Sequence, residues 1–125
     1  MISVIIPVYN ESESLPLLLE RFRVLHLEED LELIVIDDSS DSRTYEACEG
    51  YFEDLPLRFV KRGQRLGLAS AVLAGFEEAK GNYLVCMDGD GSHPPEVMLK
   101  MVDALKLNFR SLVLASRYID EGDID

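Results

Sequence analysis

The sequence predicts an α/β fold: a three-layer α/β/α domain built on a mainly parallel sheet. Short apolar, β-branched runs alternate with segments whose apolar residues recur at helical spacing. The order is β-α-β-α-β-α-β-α-β, and such alternation implies parallel strands with helices on both faces. The chain has 125 residues, 47% of them hydrophobic, which suits one domain around one core. No repeat, low-complexity segment or linker divides it, so residues 1–125 are expected to form a single domain.

The first run, Ile2 to Ile6, reads as a central strand, and Pro7 ends its capacity to donate to a ladder. Ser12 or Ser14 can cap the helix that follows, in which Leu15, Leu18, Leu19, Phe22 and Leu25 share a face. Pro16 is tolerable there only in the first turn. Glu28-Glu29-Asp30 closes the unit as a solvated loop. Leu31 to Ile36 is a second strand running into Asp37-Asp38-Ser39-Ser40-Asp41. A helix is expected from about Asp41 to Phe52, and Pro56 excludes its continuation. Leu57 to Val60 is a short third strand, followed by a basic, glycine-flanked loop from Lys61 to Gly67. A third helix starts at Leu68 and ends at Gly81, its small residues allowing close packing on the sheet. Tyr83 to Met87 is the fourth strand. Pro94-Pro95 opens a fourth helix with Val97, Met98, Met101, Val102 and Leu105 on one face. Leu112 to Ala115 is a fifth strand, and the chain closes in an acidic run from Asp120 to Asp125.

Composition excludes several classes of partner. Twenty-four acids against 12 bases give a net charge of −12. A general nucleic-acid binder depends on neutralising phosphates and is not expected; attraction to an anionic membrane surface is not expected either. No apolar run approaches the roughly 18 residues a membrane helix needs, and Met1-Ile2-Ser3 does not open a signal peptide. Cys48 and Cys86 lack metal-ligand spacing and read as buried thiols, consistent with a reducing cytoplasm.

The most informative stretch is Val85-Cys86-Met87-Asp88-Gly89-Asp90-Gly91-Ser92-His93-Pro94-Pro95. A buried strand ends abruptly in two carboxylates separated by a glycine, so Asp88 and Asp90 sit on a loop at its carboxyl edge. They are close enough to share one hard cation, such as Mg²⁺, which is commonly held by one or two carboxylates plus substrate phosphates. A plain Asp-Gly turn is the competing reading. In an open α/β sheet, ligands bind beyond the strands' carboxyl ends where the winding reverses. With strand order 3-2-1-4, that crevice lies between the first and fourth strands. Polar clusters fall at those ends: Pro7-Val8-Tyr9-Asn10-Glu11, Asp37-Asp38, Asp88-Gly89-Asp90 and Ser116-Arg117.

Chemistry suggests roles for them. Pro7, Tyr9 and Ile36 can wall a slot for a flat ring, and Asp38 can accept from ring N–H groups. Glu11 can hold a ribose hydroxyl, Asp88 or Asp90 the metal, and Arg117 a phosphate. Each has a structural alternative: helix capping for Asp37-Asp38, a surface ion pair for Arg117, plain packing for Tyr9. Arg58, Lys61, Arg62 and Arg65 can hold a phosphate, answer a neighbouring acidic face or form a solvated face, the last being the commoner case. His93 reads as a loop residue before two prolines, with a third metal-ligand role as the alternative.

These pieces together resemble the family 2 glycosyltransferases of GT-A fold, and within them the polyprenyl-phosphate sugar transferases typified by dolichol-phosphate mannose synthase. The matching segments are Val4-Ile5-Ile6-Pro7-Val8-Tyr9-Asn10-Glu11, Val35-Ile36-Asp37-Asp38-Ser39-Ser40-Asp41, Arg65-Leu66-Gly67-Leu68-Ala69-Ser70-Ala71, Met87-Asp88-Gly89-Asp90-Gly91-Ser92-His93-Pro94 and Ala115-Ser116-Arg117-Tyr118. They occur in family order and span nearly the whole chain. The resemblance implies the nucleotide-sugar-binding half of a Rossmann-like GT-A domain, with the donor, a GDP- or UDP-sugar, contacted by Pro7, Tyr9, Glu11, Ile36 and Asp38. It implies Mg²⁺ or Mn²⁺ on the Asp-x-Asp motif Asp88, Gly89 and Asp90, and Arg117 near the fifth strand beside the phosphates. It departs from the pattern at Gly89, where alanine is usual in this branch, and at Gly91, where an apolar residue is usual; both are expected to loosen the loop without removing its chemistry. Family domains also continue beyond the point where this chain ends, and that part carries acceptor contacts.

The reaction implied is inverting, metal-dependent transfer of mannose or glucose from the nucleoside diphosphate to an acceptor such as a dolichol-type phosphate. Negative charge develops on the leaving diphosphate, where a metal and Arg117 stabilise it. A phosphate acceptor is already ionised and needs no general base. The expected setting is cytoplasmic, at the membrane face for a lipid acceptor, and a homo-oligomer or a membrane-bound partner stays open. Competing readings are a non-catalytic nucleotide-sugar-binding fragment and a Mg²⁺-binding signalling receiver, although the latter wants a lysine where Arg117 stands.

Overall fold

The computed structural model describes residues 1–25, 30–92 and 94–107. The elements are β1 (Ile2–Val8), α1 (Ser14–Leu25), β2 (Leu31–Asp37), α2 (Arg43–Cys48) with a 3₁₀ turn (Glu49–Tyr51), β3 (Leu57–Lys61), α3 (Leu68–Glu78), β4 (Tyr83–Cys86) and α4 (Pro95–Leu107). All described strands are parallel, in the order β3-β2-β1-β4, as the sequence predicts. The expected fifth strand, His93, Arg117 and the acidic terminus lie outside the described residues.

Strand alternation divides the core. Ile2, Val4, Ile6 and Val8 of β1 and Leu31, Leu33 and Val35 of β2 face one side. There they meet Leu15, Leu18, Leu19 and Phe22 of α1, Cys48 of α2, and Met98 and Val102 of α4. Ile5, Ile34 and Ile36 face the other side and meet Ala71 of α3. The helices therefore form two layers around the sheet. Right-handed crossovers require this: β1 to β2 to β3 moves one way, and the return from β3 to β4 reverses, placing α3 opposite α1 and α2. Gly75 lets α3 approach closely, since a Cβ there would collide with the Ile5 side chain.

Several boundaries differ from expectation for local reasons. β1 runs two residues past Ile6, through Pro7. Residues 1 and 5 accept from the β4 side, at Tyr83 N and Met87 N, so Pro7 would direct its absent N–H to that side too. The β1–β4 pairing goes no further than Ile5 and Cys86, the point beyond which Pro7 has no N–H to continue it. Ser14 does not cap α1; its hydroxyl donates to Glu11 Oε2 at 2.6 Å. The second helix is shorter than expected and tightens into a 3₁₀ turn at Glu49. α3 stops at Glu78, because the Lys80 and Gly81 amides turn to bond Glu32 Oε2 and Ser3 Oγ at 2.7 and 2.8 Å. Val97, expected on the packed face of α4, is exposed.

Candidate functional site

The carboxyl end of β2 carries two adjacent aspartates, and alternation sends them to opposite faces. Asp37 faces α2 and is fully buried. Its Oδ1 accepts from Ser39 N at 2.9 Å; its Oδ2 lies 3.8 Å from Lys61 Nζ and has no hydrogen-bond partner among the described residues. Burial, reinforced by the Asp37 charge, pushes the Cys48 thiol up to about 11, so it is an inert core group.

Asp38 faces the β3–α3 loop. Arg62 donates to it through Nε to Oδ1 at 2.6 Å and Nη2 to Oδ2 at 2.8 Å, and Leu66 N donates to Oδ2 at 3.2 Å. The Arg62 hydrogen bonds, against the opposing effect of burial and with help from Leu66 N and the Arg65 charge, hold the Asp38 carboxyl below the usual carboxylate range. Neither acid caps α2: it is Asp41 Oδ1 that accepts from Arg43 N, at 3.1 Å. Lys61 and Arg65 of the basic stretch are exposed, whereas Arg58 and Arg62 are partly buried, and each of the four has a partner. Arg58 bonds Glu78, Lys61 bonds the Asp41 carbonyl, Arg62 clamps Asp38, and the Arg65 guanidinium lies 4.6 Å from the Tyr9 ring centroid.

The loop after β1 is stitched to the loop after β2. Asn10 adopts a left-handed conformation, φ 54°, and its amide donates to Ser39 Oγ at 2.7 Å. Glu11 N donates to Thr44 Oγ1 at 3.2 Å. The Ser14 hydroxyl, bonded to Glu11, also lies 3.3 Å from the Gly89 carbonyl oxygen, linking α1 to the Asp88–Asp90 loop.

Between these loops lies a hollow of about 200 Å³, lined by Pro7, Val8, Tyr9, Glu11, Asp38, Arg65, Gly67, Leu68 and Ala71. A smaller hollow of about 120 Å³ is lined by Pro7, Leu68, Val72, Cys86, Met87 and Asp88. Pro7 and Leu68 line both, so the two hollows adjoin near the tips of β1 and β4 and the start of α3. Pro7, Tyr9, Glu11, Asp38 and Asp88 are thus brought together. Ile36 is not at their surface: the side chain is fully buried against α3, and Leu68 and Ala71 wall the larger hollow instead. Asp90 is exposed and lines neither hollow, its Oδ1 accepting from Ser92 N at 2.9 Å.

Gly89 is buried rather than loose. A Cβ there would collide with Val8 Cγ1 and come within 3.3 Å of Ile6 Cγ2. Gly89 lets the acidic loop press on β1, which corrects the expectation of loosening at that position; Gly91, with φ 79°, has no atom within 4 Å of where a Cβ would stand. Arg62 and Arg65, read from the sequence as able to hold a phosphate, stand instead against Asp38 and the Tyr9 ring.

Among the described residues no group of three or more His, Cys, Asp or Glu side chains converges on a metal position. Asp88 and Asp90, hard oxygen donors two residues apart with Asp88 lining the smaller hollow, suit a cation that completes its shell with phosphate oxygens and water.

The family model described as Glycosyl transferase family 2 matches residues 3–125. A dolichol-phosphate mannosyltransferase of Pyrococcus furiosus is 40% identical over 124 residues, 99% of this chain and 35% of that protein. The dolichol-phosphate mannosyltransferase of Saccharomyces cerevisiae is 39% identical over 127 residues, 98% of this chain and 47% of that protein. The chain therefore spans less than half the length of either relative. A mannosyltransferase from Pyrobaculum calidifontis, in complex with GDP-Man and Mn²⁺, shares the fold with a TM-score of 0.57 and 34% identity, over 71% of this chain and 27% of that one. With the strand order, the bordering acids and the full-length match in agreement, this chain belongs to glycosyl transferase family 2.

Proposed function

We propose that residues 1–125 are the donor-binding part of a metal-dependent, inverting glycosyltransferase that moves a sugar, mannose or glucose, from a nucleoside diphosphate to a polyprenyl phosphate. The observation that carries this reading is a pair of adjoining hollows at the winding reversal, one lined by Pro7, Tyr9, Glu11 and Asp38 and the other by Pro7 and Asp88. Family membership sets aside the signalling-receiver reading. The names of the relatives favour the lipid-phosphate acceptor, and the GDP-Man and Mn²⁺ bound to a structural neighbour favour a nucleotide-sugar donor with a divalent ion.

In this reading the base lies between the Pro7 and Leu68 walls under Tyr9, with Asp38 accepting from its ring N–H. Glu11, oriented by Ser14, accepts from a ribose hydroxyl. Asp88 and Asp90 hold Mg²⁺ or Mn²⁺, which when bound stabilises negative charge on the departing diphosphate. Arg117, outside the described residues, takes the phosphate role that the family pattern gives it. No general base is required of this chain, because a phosphate acceptor is ionised at neutral pH. Among the described residues no helix is long and apolar enough to cross a membrane, so approach to a lipid acceptor falls to contacts other than a described span.

The test is a thermal-shift titration with GDP and UDP, each with and without Mn²⁺. Ligands that bind only the folded form raise its melting temperature, by an amount set by RT ln(1 + [L]/Kd). A Mn²⁺-dependent rise with either nucleotide supports donor binding; no rise with both overturns it. Transfer to a polyprenyl phosphate by the full-length protein then separates an enzyme from a binding fragment.

A further inference from the structure

We propose that Ser39 and Thr44, neither of which lines the larger hollow, are positioning residues: their buried hydroxyls pin the Asn10 and Glu11 amides and so hold the Glu11 carboxylate ready for the ribose of a nucleotide. The ribose part rests on reading that hollow as the nucleotide site.

The last backbone bond of the β1–β2 ladder runs from Asp38 N to the Val8 carbonyl, at 3.0 Å. In a continued parallel ladder the next donor, Asn10 N, would meet the Asp38 carbonyl. It meets Ser39 Oγ instead, at 2.7 Å, and Glu11 N meets Thr44 Oγ1 at 3.2 Å. Two hydroxyls thus take over where the ladder stops. Asn10 turns left-handed at this point, with φ 54°, and the chain leaves the sheet; the Glu11 carbonyl then accepts from Leu15 N at 3.0 Å as α1 begins.

Both hydroxyls belong to the core rather than to the surface. Ser39 is 0% and Thr44 1% exposed, and their oxygens lie 3.4 Å apart. Ser39 is held in turn: its amide donates to Asp37 Oδ1 at 2.9 Å, and Lys61 Nζ lies 3.5 Å from its carbonyl oxygen. A hydroxyl has two acceptor lone pairs and one proton, so each can take an amide and still bond its neighbour. Glu11 is consequently fixed at its amide by Thr44, at its carbonyl by Leu15 and at Oε2 by the Ser14 hydroxyl. A carboxylate fixed before a ligand arrives loses less freedom on binding it. Ser39 and Thr44 touch no ligand; they act through the backbone that carries Glu11.

The experiment compares the wild-type chain with Thr44→Val, Thr44→Ser and Ser39→Ala. Amide hydrogen exchange at Glu11 is expected to quicken about tenfold in Thr44→Val, the worth of one hydrogen bond, and to return close to wild type in Thr44→Ser, which keeps the hydroxyl. Ser39→Ala is expected to do the same at Asn10. Dissociation constants of GDP and UDP with Mn²⁺ are measured beside those of their 2′,3′-dideoxy counterparts. The wild type is expected to prefer the ribonucleotide by at least about tenfold, as for a hydrogen bond to a charged group. Thr44→Val should cut that preference to about threefold or less and Thr44→Ser should restore it. Damage to the fold alone would lower the folded fraction, read by urea titration, and leave the preference intact. Unchanged Glu11 exchange in folded Thr44→Val overturns the pinning. An unchanged preference in that protein overturns the control of the ribose contact. Should Thr44→Val not fold, Ser39→Ala decides both points by the same readouts, with exchange followed at Asn10. A wild type that binds no nucleotide, or shows no ribose preference, overturns the reading of the hollow and the ribose role with it, while exchange still decides the pinning.

Discussion

At the amino end of β2, Glu32 accepts from Ser3 Oγ at 2.6 Å and Lys80 N at 2.7 Å, with Arg58 Nη2 at 3.6 Å. At the carboxyl end of the same strand, Asp38 accepts from Arg62 and Leu66 N. Both acids are nearly buried and both sit below the usual carboxylate range: for Glu32, burial pushes the value up and the bonds from Ser3 and Lys80 more than offset it. A hollow of about 390 Å³ even adjoins Glu32, with Arg58 and Lys80 in its lining. The difference lies in what the bonds hold. Glu32 ties β1 to the α3–β4 turn, joining regular elements to each other. Asp38 ties a loop, and stands in a wall shared with an aromatic ring, a second acid and apolar side chains from other loops. A buried acid beside a cavity does not define a site; convergence of several loops at the winding reversal does.

The sharpest way to break this comparison is Asp90→Ala. Loss of one of two carboxylate ligands is expected to weaken Mn²⁺-dependent GDP or UDP binding by at least the roughly 10- to 100-fold that loss of an outer-shell partner brings. Stability, read by urea titration without metal, should stay within about 0.5 kcal/mol, as for an exposed position. Unchanged affinity would show that the metal lies elsewhere. Glu32→Ala should do the reverse. It strands the Ser3 hydroxyl and the Lys80 amide, at an expected cost of about 2 kcal/mol, while nucleotide affinity of the folded fraction is retained. A matching loss of affinity would mean that the two ends of the sheet are coupled.

A smaller effect sharpens the boundary between scaffold and site. Gly89→Ala is expected to destabilise by about 1 kcal/mol, because the new methyl meets Val8. Val8→Ala in the same chain should recover part of that loss. The two changes are therefore expected to be non-additive in a double-mutant cycle. Strict additivity would remove the contact as the cause.

Much of the fold is legible because periodicity carries it. Runs such as Leu31–Ile36 and the spacing Leu15, Leu18, Leu19, Phe22 specify both element type and buried face. What is not legible is long-range polar pairing. Nothing local says that Arg62 reaches back 24 residues to Asp38, or that the Lys80 and Gly81 amides end α3 by bonding Glu32 and Ser3. Ile36 reads from the sequence as an apolar wall for a flat ring, yet its side of the strand is roofed by α3. Glycine in place of the usual alanine at position 89 suggests a looser loop, whereas the structure fills the space of its missing side chain with Val8.

The neighbouring aspartates at the end of β2 are identical in formula and unlike in circumstance, because a strand has only two sides. One is enclosed beside a lysine and a thiol; the other meets an arginine and open space. Neither can stand in for its twin, since exchanging them requires the whole ribbon to slide by a single residue and turn every apolar side chain on it inside out. Insertion or deletion within β2 therefore threatens ligand recognition and the core in one stroke.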